Sequence, residues 1–147
     1  MIKALTHPQK GQVVVFSILL MPLVLGIMAL VIETGNMYVY YSELQHTADI
    51  AVVTCDETAA KNVIAKNNTI NIKPDNPVKI NLYCKTLSEY PDCFFIKLEK
   101  DVTPLIKVFG ETKLPLKVYA AASRSEKKLV SFPTNPKNIN WGDPVAD

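Results

Sequence analysis

Twenty consecutive residues without a charge, Val13 to Ile32 (VVVFSILLMPLVLGIMALVI), constrain this chain more than any other feature. At about 1.5 Å of rise per residue they make a helix about 30 Å long, the thickness of a bilayer's hydrocarbon core. The helical pattern continues beyond them. The next stretch, ETGNMYVYYSELQHTADIAVVTCDETAAKNVIAKN, holds no proline. In it Met37, Tyr41, Leu44, Ala48, Val52, Cys55, Ala59 and Val63 recur at steps of three or four, one face of an amphipathic helix. The expectation is one long helix from Gly11 to Lys66, its first half in lipid and its second half in water under a small domain.

Charge placement sets an expected orientation. Lys3 and Lys10 precede the apolar run, and no Lys or Arg then appears until Lys61. The positive-inside rule therefore puts the N-terminus in the cytoplasm and the bulk of the chain across the membrane, in the periplasm, outside the cell or on an extracellular assembly. The run exceeds the roughly 7–15 residues of a signal-peptide core, and Ala29-Leu30-Val31 is no small-x-small cleavage site, so a retained anchor is expected. The net charge of +2, with no clustered Lys or Arg, argues against a nucleic-acid partner.

Within the run, Pro22 and Gly26 read either as a mild kink or as a place where neighbouring helices pack closely. Glu33 marks the outer end of the span. After Asn67-Asn68-Thr69, which also spells a weak glycosylation sequon, the period becomes two. Ile70-Asn71-Ile72 starts the alternation and Pro74-Asp75-Asn76-Pro77 reads as a turn. Strands are expected with Val78, Ile80, Leu82 and Cys84 on one face, then Phe94, Ile96 and Leu98, then Leu114, Leu116, Val118, Ala120 and Ala122. Thr86 to Asp92 reads as a loop containing Pro91, and Thr103 to Gly110 as a capped short helix. The fold class is α+β: a long N-terminal helix, its first half transmembrane, packed on an antiparallel sheet of three to four strands. The boundaries are a leader over 1–10, the span over 11–33, the helix's continuation over 34–67, the β domain over 68–124 and an extended tail over 125–147.

Catalytic chemistry is not legible. His7 and His46 fall on opposite sides of the expected membrane, Asp49, Asp56 and Glu57 read as a solvated helix face, and no phosphate loop, metal motif or nucleophile elbow is present. Neither a cofactor nor a small-molecule substrate is implied. Cys84 and Cys93, on two neighbouring expected strands of an exported domain, suggest a disulfide; a metal site is the rival, with too few ligands. Cys55 is then the odd thiol, a small hydrophobe on the helix stripe.

The residues from Lys10 to Ala60 resemble the N-terminal region of the TadE/TadG-like proteins of tight-adherence (Tad, or Flp) pilus systems. Lys10, Gly11, Gln12, Pro22, Glu33, Gly35, Tyr38, Glu43, Leu44, Gln45, Ala48 and Asp49 carry the likeness. The resemblance implies a pilin-like, membrane-anchored pseudopilin or minor subunit that assembles with other pilins through its helix, at Pro22, Gly26, Glu33, Gly35, Glu43, Leu44 and Gln45. It also implies a candidate peptidase cleavage after Gly11. Phe16 stands where processed subunits carry a Glu, which favours the uncleaved, TadG-like branch. The alternative is a single-pass, membrane-tethered envelope binding or sensory module.

Overall fold

An uninterrupted helical period extends a helix until a residue offers the backbone something better. The structure, a computed structural model, describes residues 9–67, 80–103 and 113–145. Helix α1 runs Gln9–Val53 and keeps Pro22 inside it. Hydroxyls in and beside the apolar stretch are satisfied by the helix itself: Ser17 Oγ donates to the Val13 carbonyl and Thr34 Oγ1 to that of Leu30, each at 2.8 Å.

The expected single helix is broken at Thr54-Cys55-Asp56. The Thr54 and Cys55 amides bond back three residues to Ala51 and Val52, tightening the last turn. Cys55 then takes φ 52°, a left-handed conformation that ends a helix. Asp56 caps the start of α2 (Glu57–Asn67), its carboxylate accepting from the Thr58 amide at 2.8 Å. This elbow resets the helical phase. Past it the buried residues are Ala60 and Ile64, not Ala59 and Val63, and before it Tyr41 stands exposed and off the expected stripe.

Four strands follow: β1 Ile80–Leu87, β2 Tyr90–Val102, β3 Leu114–Ser123 and β4 Lys128–Leu129. They form one antiparallel meander in sequence order. The expected loop over Thr86 to Asp92 is tighter than that, since only Ser88 and Glu89 separate β1 from β2, with an irregularity between Lys85 and Leu87. Pro91 fits inside β2 because pairing with β3 starts only at Cys93, leaving its missing N–H unneeded. The expected strand start at Ile70-Asn71-Ile72, the turn Pro74 to Pro77, Val78 and the short helix after Thr103 lie outside the described residues.

One sheet face packs under α1 and α2. Leu82, Phe94, Ile96, Leu98, Val118, Ala120 and Ala122 meet Leu44, Ala48, Ala51, Val52, Ala60 and Ile64 in one buried cluster. Alanines on both surfaces bring helix and sheet close, and Gln45 Nε2 fixes the level of the contact by donating to the Tyr119 carbonyl at 3.2 Å. The other face is also covered. Phe95 is fully buried there, its ring 5.5 Å from Phe132, while Tyr119 meets both Phe132 and Trp141. The tail makes this layer. It leaves β4 with the Val130 amide donating to the Ala121 carbonyl of β3, buries Ile139, and reaches the far edge where the Val145 amide donates to the Leu82 carbonyl at 2.7 Å. Lys85 Nζ also donates to the Asn140 carbonyl on the way. The domain is therefore three layers: helices, sheet and tail.

The expected disulfide between Cys84 and Cys93 is not formed; both are free thiols. Face parity explains this. Cys84 pairs in register with Ile96 and shares its helix-facing side, whereas Cys93 alternates with Phe95 toward the opposite side. A disulfide needs both β-carbons on the same side of the sheet and about 4 Å apart.

Candidate association surface and helix elbow

Among the described residues, the apolar side chains on the first half of α1 have nothing outside the helix to pack against. From Gln12 to Met28 every described side chain is exposed, with Phe16 at 66% and Leu19 at 69%. No described residue buries this segment as a core helix, and so large an exposed apolar surface is unfavourable in water. It is the one helix among the described residues long and apolar enough to cross a membrane, which is consistent with a single-pass membrane protein. Tyr38 and Tyr41 are exposed a few residues beyond the run, where amphipathic rings suit a membrane–water boundary.

The residues expected to pack with partners divide into two groups. Pro22, Gly26 and Gly35 lie on α1's uncovered part, and a β-carbon added at either glycine meets, among the described residues, no atom within 4 Å beyond the local helix backbone. Glu33 lies between them, partly covered. Leu44 and Gln45 instead serve the domain's own packing: Leu44 is buried, and Gln45 donates to Asp49 Oδ1 at 2.8 Å as well as to Tyr119. Glu43 faces the Lys100 ammonium, which burial pushes down while Glu43 pulls it back up.

Polar clusters on the head are structural. The Glu99 carboxylate accepts from Lys97 at 2.9 Å, Lys117 at 3.1 Å and the Tyr83 hydroxyl at 3.2 Å. Burial pushes this carboxyl up, but the two lysines outweigh it and hold it below the usual range. Asp92 clasps the β3–β4 turn, accepting from the Ser123 and Ser125 hydroxyls at 2.7 Å each and from the Ser125 amide at 3.1 Å. Those bonds, Ser123's first, lower its pKa.

Sequence reasoning missed the elbow as a site. Cys55, Asp56, Glu57, Cys84, Lys85, Thr86, Phe94 and Arg124 line an open depression of about 560 Å³. Burial pushes the Cys84 thiol up to about 12, with Glu57 adding to the shift and Lys61 opposing it. A thiol held protonated in this way is a poor nucleophile at neutral pH. Among the described residues no group of three or more His, Cys, Asp or Glu side chains could hold a metal ion.

The architecture defines a class: a helix long enough to span a bilayer, bearing a small α+β head on its far half. Residues 11–54 match the family model described as putative Flp pilus-assembly TadE/G-like, so that α1 carries a TadE/G-like segment. The match covers nearly all of α1 and supports a pilus-associated component. No curated protein and no solved structure matches the chain.

Proposed function

We propose that the chain is a membrane-anchored minor pilin or pseudopilin-like component of a Tad/Flp-type pilus or related secretion assembly, acting by subunit association. The carrying observation is the uncovered apolar half of α1, coinciding with the segment that matches a pilus-assembly family. In this reading the N-terminus is cytoplasmic, residues 11–33 span the membrane, and the head lies outside the cytoplasmic membrane. Other subunits pack beside α1 around Pro22 and Gly26, where the missing side chain at Gly26 lets a neighbouring helix approach. The leader is retained, and Lys10 and Gly11 remain on the mature protein.

Gly26→Leu tests the contact. Because nothing among the described residues outside the local helix backbone lies within 4 Å of a β-carbon there, the substitution leaves the head folded while filling the notch a partner would use. The expected result is weakened co-purification with pilus subunits and an unchanged melting curve. Unchanged co-purification removes Gly26 from the contact. The retained leader is checked by the mature N-terminus, where a chain beginning at Gln12 would contradict it.

A further inference from the structure

The head has a fixed polarity along α1. Gln45 Nε2 donates to the Tyr119 carbonyl and Cys55 Sγ to the Ser123 carbonyl, so the helix and β3 advance in the same direction. The lengths agree: from 45 to 55 the helical rise is about 15 Å, and from 119 to 123 the strand rises about 13 Å. The elbow therefore marks the far end of the head, and the start of β3 points back toward the apolar run. From Tyr119 to Leu114 is about 17 Å of strand, the rise of about eleven residues of helix, which leads from Gln45 back to Thr34. Register brings the end of β2 and the start of β1 to this level, with Val102 opposite Leu114, Asp101 opposite Pro115, and Lys100 between Leu116 and Ile80. Partial cover along α1 agrees, recurring at Glu33, Asn36, Met37 and Tyr40 on the stripe that continues to Leu44.

We propose that this near end of the sheet rests on the lipid bilayer, with Leu114 and Pro115 in the headgroup layer and the Lys113 and Lys117 ammonium groups on lipid phosphates. The proposal rests on Val13 to Ile32 spanning the membrane, and on neither the side the head occupies nor a pilus. A headgroup layer extends about 5–7 Å beyond the hydrocarbon, the rise of about three to five residues of helix, so it reaches from Glu33 to the level of Met37. Leu114, at the level of Thr34, falls inside it. Its exposure suits that place. Leu114 is 44% exposed, and Leu129, at the far end, is the one other large apolar side chain exposed on the described sheet. Lys113 and Pro115 beside it are exposed too, and the Lys117 side chain is 49% exposed even while it holds Glu99. Lys100 is engaged toward Glu43, and Asp101 is the one acidic side chain exposed at this end of the sheet among the described residues. Lysine stems lie along apolar surface and keep their ammonium groups at the phosphates, still open to water.

The test uses the full chain in vesicles of phosphatidylcholine and phosphatidylglycerol, with or without bromine on the upper acyl chains as a short-range quencher of tryptophan. Trp141→Phe removes the one native tryptophan, and single reporters are introduced as Leu114→Trp, as Glu126→Trp at the far turn and as Phe16→Trp in the span. Leu114 and Glu126 are exposed, so neither reporter should move the melting midpoint of the Trp141→Phe background by more than about 2 °C. The expected result is loss of on the order of half the Leu114→Trp emission, little loss from Glu126→Trp and the largest loss from Phe16→Trp. Lys113→Glu, or about 1 M salt, which shortens the screening length to about 3 Å, should roughly halve the quenching of Leu114→Trp. Leu114→Trp as bright as Glu126→Trp, with Phe16→Trp quenched, overturns the contact while the span stands. Phe16→Trp left unquenched removes the span and the proposal with it. Quenching of Leu114→Trp that ignores both Lys113→Glu and salt overturns the contact of lysine with phosphate.

Discussion

Truncating an apolar side chain should have unequal consequences on the two halves of this molecule. Ile96 is fully buried on central strand β2, beneath α1. Ile96→Ala removes three carbons, about 2.4 kcal/mol at about 0.8 kcal/mol each, and the cavity left behind raises the total to about 3–4 kcal/mol. A domain's whole stability is about 5–15 kcal/mol, so this is a large share. At about 4 °C per kcal/mol for a head of this size, the midpoint should fall by about 12–16 °C. Leu25 is as apolar but 58% exposed on the uncovered half of α1. Leu25→Ala should move the head's midpoint by no more than about 0.5 kcal/mol allows, roughly 2 °C. The assay is thermal unfolding of the full chain in detergent, followed by fluorescence of Trp141, the only tryptophan, which stacks on Tyr119 at 5.8 Å. Equal shifts for the two variants, or an Ile96→Ala shift below about 4 °C, would refute the division of α1 into a folding half and an uncovered half.

The tail layer makes its own prediction. Phe132→Ala should cost about 2 kcal/mol and shift the Trp141 emission, because Phe132 bridges Phe95 and Tyr119; an unchanged midpoint would mean that the tail does not seal that face. The Asp92 clasp predicts an acid dependence. Its folded pKa is lowered, so its contribution is fully present above the unfolded value of about 3.9 and is lost as pH falls through the folded value. Asp92→Asn should flatten the melting temperature against pH in that acidic range while leaving the slope elsewhere unaltered. Alkylation of the reduced chain should reach Cys84 last, given its raised pKa, as peptide mapping over time would show.

Length and period made the main architecture legible. A charge-free run as long as Val13 to Ile32 has few stable surroundings, and alternation through Leu82, Ile96 and Val118 identified the helix-facing side of the sheet. The elbow was partly legible too. Asp56-Glu57-Thr58 spells a helix start, but nothing in a cysteine announces a positive φ, so the stripe was carried one residue out of phase past it. The third layer was signalled by Phe94-Phe95-Ile96, three consecutive apolar residues that alternation on one face cannot explain. Which segment covers Phe95 was not legible, because the tail's contacts are non-local and its prolines suggest only extension. The wrong cysteine pairing could have been avoided from alternation alone. Placing Cys84 with Leu82 and placing Phe94 with Ile96 already sends Cys93 to the other side.

The central claim is that the uncovered half of α1 spans the membrane and holds the head outside. Labelling with a membrane-impermeant amine reagent, on intact spheroplasts and then on permeabilised ones, tests it most directly. The account predicts that exposed head lysines such as Lys113 and Lys128 react in intact spheroplasts, while Lys10 reacts only after permeabilisation. Protection of the head lysines until the membrane is breached would contradict it.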